Sequence, residues 1–388
     1  MSSPTLTPQL AQRLRDYLHS RQGEMIELLG QLVQAESPST VPESQKNVLS
    51  LLKQSLEERN YQVRYVKGNQ TGGHLLAIPR DRPTTQPQQL LLGHCDTVWP
   101  VGTLETMPLV RHQDKLYGPG VYDMKGGLVQ GIFALEALQA QDLTSSITPI
   151  FLINSDEEIG SQESTPHIQA LAQQCDRVFV LEPSLGATGR LKTQRKGVGR
   201  FTIRVVGKAA HAGLDPEKGA SAILELSFVI QQLFALNNPE RGITVNVGMI
   251  DGGIRSNVVA PESEAVVDVR VLHQEDVQAI ETAIFALKPT TPGTELRIEG
   301  RIGRTPMEKT PASEQLWQKA RQIGAELGIE LEEATAGGGS DGNTTNLYTP
   351  TLDGLGAIGD AAHSPGEFIY LDSLVERSAL LARLLIEP

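Results

Sequence analysis

Apolar and polar residues alternate along the first half of the chain in a way that predicts strands separated by helices. Short apolar runs predict strands at 74–79, 88–93, 147–154 and 177–183. Segments with apolar residues three or four positions apart predict helices at about 8–35, 44–59, 125–140 and 162–174. This alternation is typical of an α/β layer structure.

The pattern changes after residue 196. Over 197–303 it predicts the order strand, helix, strand, strand, helix, strand, which is the ferredoxin-like split βαβ motif. From about residue 305 the α/β pattern of the first part resumes, with helices predicted at 312–327 and 373–386. A chain of 388 residues is expected to form two domains. We therefore predict a discontinuous α/β domain, 1–196 and 304–388, interrupted by an inserted α+β domain, 197–303.

Composition narrows the class of protein. Hydrophobic residues make up 39% of the chain, and no apolar run approaches the roughly 18 residues that span a bilayer. The polar N-terminal segment lacks the apolar core of a secretory signal. Only two cysteines occur, so we expect no disulfide framework and a cytoplasmic location. The net charge of −12 argues against a nucleic-acid partner, which would need a basic surface.

Candidate chemistry begins where the apolar run 88–93 ends. His94 and Asp96 lie two positions apart, so on a strand their side chains share a face and Cys95 points away. One interpretation is a partly buried histidine held by a carboxylate. The other is a metal ligand whose second ring nitrogen is oriented by the acid behind it. In either case Cys95 is not a predicted ligand.

More acidic and histidine residues occur at predicted strand ends or in glycine-rich turns. They are Asp123, Asp156, Glu157, Glu158, Glu182 and His363. Ligands gather where the strands of an open α/β sheet end, so these residues can converge. Packed carboxylates resist ionising unless a cation lies among them, and two divalent metals would supply that charge. Imidazole with carboxylate favours Zn²⁺, and Co²⁺ or Mn²⁺ can use the same ligands.

Each of these residues also has an ordinary interpretation. The Glu157–Glu158 pair could be a solvated surface pair, and Glu182 could simply end a strand. Asp123 could cap the helix that follows it, because aspartate is a good N-cap. His363 could be a loop histidine.

Seven segments carry a resemblance to a known family. They are GHCDTV, GPGVYDMKGG, NSDEEIGS, LEPS, GKAAHAG, GGGSDGN and GDAAHSPGE. In this order they resemble the co-catalytic di-zinc metallopeptidase family of glutamate carboxypeptidase, acetylornithine deacetylase, succinyl-diaminopimelate desuccinylase and aminoacylase. The resemblance covers nearly the whole chain. Within the family, the chain looks most similar to the bacterial folate-cleaving glutamate carboxypeptidase branch. It implies a zinc-exopeptidase-like domain with a central mixed sheet, an inserted lid and dimerisation domain, and two Zn²⁺ per chain.

The resemblance also implies roles for individual residues. The metal ligands would be His94, Asp123, Glu158, Glu182 and His363. Asp123 would bridge the two metals, with His94 and Glu182 on one and Glu158 and His363 on the other. Asp96 would hold His94, and Glu157 would be the general base. His211 would stabilise the oxyanion in the partner subunit's active site, so we expect a homodimer; the alternative is a loop histidine.

Substrate binding is implied at Asn257, Arg270, Arg304, Gly339 and Ser340. Arg270 would pair with a free carboxylate, because a guanidinium binds a carboxylate bidentately. Arg304 only approximately matches a second such arginine, and Arg190 and Lys192 depart from the lysine and serine of the folate-cleaving branch.

We expect a hydrolase of small amides or peptides that cleaves next to a free carboxylate, most like a glutamate-type carboxypeptidase. The alternatives are an N-acyl-amino-acid deacylase and a non-catalytic binding protein of the same fold.

Overall fold

The computed structural model of the protein describes residues 6–83 and 85–388. The chain divides into two compact units. The outer unit contains the residues up to Thr193 together with Lys309–Thr335 and Ser340–Pro388, and the inserted unit contains Gln194–Glu308 and Ala336–Gly339. The sequence had placed 336–339 in the outer domain. These residues join the inserted unit because the backbone N–H of Lys196 donates to the carbonyl of Ala336 at 2.9 Å.

The helices of the described chain agree closely with the predicted ones, apart from the five-residue helix Asp341–Thr345, which the pattern did not predict. They are α1 (Leu6–Gln34), α2 (Gln45–Glu57), α3 (Gly126–Ala140), α4 (Thr165–Ala172), α5 (Ala222–Phe234), α6 (Gln274–Phe285), α7 (Pro311–Glu326), α8 (Asp341–Thr345) and α9 (Leu371–Ile386). The helix predicted at about 8–35 corresponds to α1. The first five residues of the chain lie outside the described part. None of the described helices is long and apolar enough to cross a membrane.

The strands include the predicted apolar runs and several short segments that the pattern did not predict. They are β1 (Tyr61–Val66), β2 (His74–Pro79), β3 (Gln88–His94), β4 (Val110–His112), β5 (Lys115–Tyr117), β6 (Thr148–Asn154), β7 (Arg177–Val180), β8 (Leu191–Arg195), β9 (Gly197–Val206), β10 (Thr244–Gly252), β11 (Glu262–Val271), β12 (Glu295–Arg304), β13 (Glu333–Ala336), β14 (Thr351–Leu352), β15 (Gly359–Asp360) and β16 (Phe368–Tyr370).

The outer unit is built on a mixed six-stranded sheet in the order β1-β2-β6-β3-β7-β14. β3 runs parallel to β6 and β7, and β7 runs parallel to β14, whereas β2 is antiparallel to β1 and β6. β3 and β6 are apolar on both faces because both faces are covered, as expected for parallel strands at the centre of a sheet. α1, α3 and α9 pack against one another. The predicted α/β class with a central mixed sheet is confirmed.

The inserted unit is an antiparallel sheet in the order β10-β11-β9-β12, with α5 and α6 packed against it. This is the strand order of a ferredoxin-like motif, so the predicted split βαβ pattern is confirmed. Along β11 the buried residues alternate, with Val267, Val269 and Val271 in the core. Arg270 lies on the other face, because successive side chains of a strand point to opposite faces.

The central sheet brings three loops to one edge. His94, the last residue of β3, lies opposite Asn154, the last residue of β6, and the parallel strand β7 ends beside them. α3 begins close to the end of β7, where a Cβ on Gly127 would lie 2.0 Å from the carbonyl oxygen of Leu181. Only glycine allows this approach. The segments that follow β3, β6 and β7 therefore meet at the start of α3.

A small antiparallel sheet in the order β15-β16-β5-β4 joins two further segments to this edge. β5 precedes the turn Val121–Lys125, which contains Asp123, and β15 and β16 flank the loop that contains His363. The sequence did not predict this sheet, because its strands have two or three residues each and β4 is fully exposed.

Candidate metal centre

His94 is buried at the end of β3, and Asp96 fixes its ring. Nδ1 of His94 lies 3.1 Å from the carbonyl oxygen of Asp96 and 3.4 Å from its Oδ1 atom. The opposite nitrogen, Nε2, faces two carboxylates, at 3.2 Å from Oδ1 of Asp123 and 3.5 Å from Oε1 of Glu182. The ring of His94 thus lies between Asp96 and the other two carboxylates. Cys95 is buried in the hydrophobic core.

Asp96 also holds the turn that follows β6. Its buried carboxylate accepts hydrogen bonds from the backbone N–H groups of Glu157 at 3.3 Å and Glu158 at 3.2 Å. The hydroxyl of Ser39 donates to the same carboxylate at 2.6 Å. Burial alone would raise the pKa of Asp96, but the His94 ring and these donors hold it below its ordinary value.

Asp123 lies between two histidines. Its Oδ1 atom is 3.2 Å from Nε2 of His94, and its Oδ2 atom is 3.3 Å from Nε2 of His363. The same nitrogen of His363 is 3.1 Å from Oε1 of Glu158. The ring of His363 is half exposed, and its backbone has a left-handed φ of 58°. The structure therefore brings together all five residues predicted as metal ligands.

The charges of this cluster are unbalanced without a cation. Burial alone would lower the pKa of His94, but the carboxylates of Asp123, Asp96 and Glu182 raise it well above its ordinary value. Hydrogen bonds with Asp123 and Glu158 raise the pKa of His363 to about 10. Burial raises the pKa of the Glu158 carboxyl. Each histidine thus lies where a positive charge is strongly favoured.

Two buried atoms in this cluster also indicate a site for a cation. Nε2 of His94 and Oδ1 of Asp123 are buried, and neither makes a hydrogen bond within the described part of the chain. Because Nδ1 of His94 faces Asp96, a neutral ring would turn the lone pair of Nε2 towards the carboxylates. A divalent cation between these atoms would satisfy both.

The ligand atoms are close enough to share metal ions. His94, Glu157 and Glu182 each place one ligand atom within 4.8 Å of the others, and His94, Asp123 and Glu158 do the same. Imidazole and carboxylate are the donors that Zn²⁺ accepts. The residues present therefore fit a metal centre.

One cationic side chain lies beside this cluster. Nζ of the buried Lys192 is 3.9 Å from Oε2 of Glu182. The neighbouring Arg190 donates through Nε to the carbonyl of Leu185 at 3.4 Å. Lys192 comes close to this carboxylate because β8 returns the chain beside Glu182.

Glu367 is a residue that the sequence analysis missed. Its buried carboxylate accepts hydrogen bonds from the backbone N–H groups of Gly120, Tyr122 and Asp123 and from Nε1 of Trp99, at 2.9 to 3.0 Å. Burial raises the pKa of its carboxyl, and these four donors oppose the rise. The available signal was an acidic residue at the end of GDAAHSPGE, directly before the strand FIY.

Two candidate residues of the inserted unit, His211 and Asn257, are exposed and lie in two neighbouring loops. His211 pairs with Val258, and the backbone N–H of Ala212 donates to the carbonyl of Asn257 at 3.0 Å. Nδ1 of His211 accepts hydrogen bonds from the N–H groups of Gly213 at 3.1 Å and Leu214 at 3.2 Å. In the neutral ring the proton is therefore on Nε2.

The two candidate arginines of the inserted unit lie on β11 and β12, the two strands that flank β9 in its sheet. Nε and Nη2 of Arg270 donate to the carboxylate of Asp268 at 2.7 and 2.8 Å, and Nη1 lies 3.5 Å from the carbonyl of Gly337. Arg304 is the last residue of β12, partly exposed, and its register partner is Val198 in β9.

The glycine-rich segment supplies the last two candidates. Gly339, in the inserted unit, accepts a hydrogen bond at its carbonyl from Nη1 of Arg195 at 3.3 Å. Ser340, in the outer unit, is buried and caps α8, with its hydroxyl accepting from the N–H of Gly342 at 3.0 Å and donating to Asp353 at 2.6 Å. The Ser340 hydroxyl is thus engaged within the fold.

Comparisons with known proteins agree with this geometry. The sequence model of peptidase family M20/M25/M40 matches residues 90–387. Carboxypeptidase G2 of Pseudomonas sp. strain RS-16 is 28% identical over 305 residues, which cover 77% of this chain and 73% of the relative. An acetylornithine deacetylase of Photorhabdus laumondii is 27% identical over 389 residues, which cover 93% and 96% of the two chains. The crystal structure of aminopeptidase PepT from Bacillus cereus has the same fold, with a TM-score of 0.78 at 20% identity over 94% of this chain and 98% of that one.

Proposed function

The chain belongs to peptidase family M20/M25/M40 and is a metallohydrolase, and on this basis we propose that it is a di-zinc carboxypeptidase of glutamate type. It would cleave an amide bond next to a free carboxylate and release the C-terminal amino acid. The observation that carries the proposal is the Asp123 carboxylate between Nε2 of His94 and Nε2 of His363, at 3.2 and 3.3 Å.

The proposed ligand sets are those that the family resemblance implies, and the contacts of Asp123 with both histidines support them. Asp123 would bridge two Zn²⁺ ions, with His94 and Glu182 on one and Glu158 and His363 on the other. Co²⁺ or Mn²⁺ could occupy the same ligands. Bound metals of this kind lower the pKa of a water molecule towards neutrality and polarise an amide carbonyl.

Glu157 is proposed as the general base. Its side chain lies with His94 and Glu182, within 4.8 Å by one ligand atom each, and Asp96 holds its backbone N–H. It would accept a proton from the attacking water and pass it to the leaving amine. Asp96 would contribute by keeping the ring of His94 in one orientation.

His211 is proposed to stabilise the negative oxygen that develops during amide cleavage. Two backbone N–H groups donate to its Nδ1, so the neutral ring presents an N–H donor at Nε2. This is the tautomer that an oxyanion requires. We propose that it acts in the active site of the partner subunit of a homodimer.

An apolar surface of the inserted unit supports the homodimer. β10 is an edge strand, and the side chains of Met249, Ile250 and Ile254 are 65%, 67% and 69% exposed. Ile223 and Phe228 of α5, which packs against β10, are also exposed. An exposed edge strand beside apolar residues is a surface suited to pairing with a second copy of the chain.

The substrate's carboxylate is proposed to bind to the inserted unit. Arg270 would provide the main charge, with Asp268 holding two of its three guanidinium nitrogens in place. Asn257, Arg304, Gly339 and Ser340 complete the proposed set. The substrate would be a small peptide or amide.

A substrate panel tests the proposal. Metal-free protein reconstituted with Zn²⁺ would be given Xaa-Glu dipeptides, the same dipeptides with C-terminal amides, N-acetyl amino acids and succinyl-diaminopimelate. We expect fastest hydrolysis of the Xaa-Glu dipeptides and little hydrolysis of their amides. Comparable rates on both would contradict recognition of a free carboxylate.

A deacylase is the second candidate, favoured by the alignment with acetylornithine deacetylase over 93% of this chain. Hydrolysis of N-acetylornithine or succinyl-diaminopimelate with no hydrolysis of dipeptides would establish it. A non-catalytic binding protein is the remaining alternative, and zinc-dependent hydrolysis of any member of the panel would exclude it.

A further inference from the structure

Glu367 joins the two loops that carry Asp123 and His363. We propose that Glu367 is a positioning residue that sets the affinity of the metal site formed by Glu158 and His363. This inference rests on the dinuclear centre proposed above and adds a residue that does not itself contact either metal.

The first support is that the carboxylate of Glu367 accepts hydrogen bonds from four donors. Oε1 accepts from the backbone N–H groups of Tyr122 at 2.9 Å and Asp123 at 3.0 Å. Oε2 accepts from the backbone N–H of Gly120 at 2.9 Å and from Nε1 of Trp99 at 2.9 Å. Glu367 is fully buried, and its hydrogen bonds to Gly120 and Tyr122 are buried as well, so water cannot readily replace a lost partner there.

The second support is where Glu367 lies along the chain. It is four residues after His363, and its backbone is tied at both ends, since its N–H donates to the carbonyl of Ser364 at 3.2 Å and its carbonyl accepts from Gly118 at 3.1 Å. One residue therefore binds the turn of Asp123 through its side chain and holds the loop of His363 through its backbone.

The two proposed metal sites depend on this link to different degrees. His94 lies on a central strand and is held by Asp96, so its position does not depend on Glu367. His363 lies in a loop with a half-exposed ring. A change at Glu367 should therefore alter the distance between Asp123 and His363 more than the distance between Asp123 and His94.

Glu367→Gln is the informative substitution. The amide has nearly the same shape, but its NH₂ group would face two of the four N–H donors, so those donors lose their acceptor. The loop of His363 would then shift relative to the turn of Asp123. Replacing a residue that orients a metal ligand typically weakens metal binding roughly 10- to 100-fold.

The test is titration of metal-free protein with Zn²⁺ by calorimetry in the presence of a competing chelator. Wild type should bind two ions, and Glu367→Gln should bind one with wild-type affinity and one roughly 10- to 100-fold more weakly. Glu376→Gln, the same substitution at a partly exposed position of α9, is the matched control and should bind both ions as wild type does.

A double variant tests whether Glu367→Gln acts only on the metal site of Glu158 and His363 or weakens the fold in general. His363→Ala should retain only the site of His94 and Glu182. Adding Glu367→Gln to it should leave that remaining affinity unchanged, because the two residues act on the same site. An equal weakening of both sites by Glu367→Gln, or a further loss in the His363→Ala background, would overturn the proposal.

Two further results keep the test decisive. If Glu367→Gln does not fold, Trp99→Phe removes only the indole donor and should weaken the same single site by a few-fold; an unchanged affinity would overturn the proposal. Wild-type protein that binds fewer than two ions would overturn the dinuclear centre together with this inference. Two ions in wild type with unchanged affinities in Glu367→Gln would overturn this inference alone.

Discussion

The carboxylate of Asp96 accepts a hydrogen bond from the backbone N–H of Glu158 at 3.2 Å. The same carboxylate lies 3.4 Å from Nδ1 of His94, so one buried side chain fixes a strand-end histidine and the turn after a neighbouring strand. Within that turn the two glutamates differ. Glu158 contacts His363, whereas Glu157 groups with His94 and Glu182.

This difference predicts separate effects of substituting the two glutamates. Glu157→Gln should keep two zinc ions per chain and lose at least ~10²-fold in kcat, because a general base is lost and no ligand is. Glu158→Gln should lose affinity for one ion. Metal analysis and steady-state rates on the same preparations check both. Loss of a zinc ion in Glu157→Gln would mean that the two roles are exchanged.

Action of His211 across a dimer predicts complementation. His211→Ala and Glu157→Gln should each be inactive, and mixing them under conditions of subunit exchange should restore activity. Equal mixing makes half the dimers hybrids with one complete site each, so about a quarter of wild-type activity is expected for independent sites.

Two controls accompany the mixing experiment. Labelled subunits must be shown to exchange. Ile250→Lys, at an exposed position of β10, should weaken the dimer and lower the recovered activity. Exchange without any recovery would rule out action in trans.

Recognition of a carboxylate by Arg270 predicts an effect that depends on the substrate. Arg270→Ala should lower kcat/KM for a free-carboxylate substrate by at least ~10-fold, because a hydrogen bond to a charged group contributes about 1.5–3 kcal/mol. The rate on the C-terminal amide of the same substrate should hardly change. Arg204→Ala is the matched control, since Arg204 is an exposed arginine of the same unit paired with Glu264.

The opposite result for Arg270→Ala would also be informative. Equal losses on both substrates would assign Arg270 a structural role through its pair with Asp268. The carboxylate-binding residue would then be sought at Arg304.

Glu225 predicts a pH-dependent stability of the inserted unit. Its buried carboxylate accepts hydrogen bonds from the N–H groups of Thr290 and Thr291 at 3.0 and 2.6 Å. Burial alone would raise the pKa of Glu225, but these bonds hold it below its ordinary value of 4.5. Because the folded-state pKa is lowered, the stabilisation is present above pH 4.5 and is lost as the pH falls through the folded-state pKa.

Glu225→Gln should therefore reduce the free energy of unfolding by about 1.5–3 kcal/mol at neutral pH. The difference from wild type should shrink as the pH is lowered below 4.5. Denaturation followed by circular dichroism measures both. Glu217→Gln, an exposed position in the same unit, should stay within about 0.5 kcal/mol of wild type, and a pH-independent difference at Glu225 would contradict the charge argument.

The parts of the fold that follow from local pattern were predictable. The apolar run of β3 ends at His94, and parallel strands end at one edge of a sheet, so the nearness of Glu158 and Glu182 follows from strand order. The alternation of apolar and polar residues along β11 likewise predicts which valines are buried. His363 could be placed only through the resemblance to a family, because the strand before its loop, β15, has only two residues and was not predicted.

The rest depends on contacts between distant segments. Ser39 reaches Asp96 across 57 positions, and Glu367 reaches Gly120 across 247, and neither contact leaves a periodic signal in the sequence. The approach of Lys192 to Glu182 depends on the return of β8. By contrast, the pair of Arg270 with Asp268 was readable, since residues two apart on a strand share a face.

The packing of α9 against α1 and α3 has a consequence for how the protein is made. α3 is apolar around nearly its whole surface, and α9, which covers part of it, is synthesised after the entire inserted unit. While the ribosome is still translating 194–308, the nascent outer unit exposes the faces that α9 will bury. The nascent outer unit is therefore open to aggregation or to capture by chaperones until α9 leaves the ribosome, whereas the nearly contiguous inserted unit can fold as soon as it emerges.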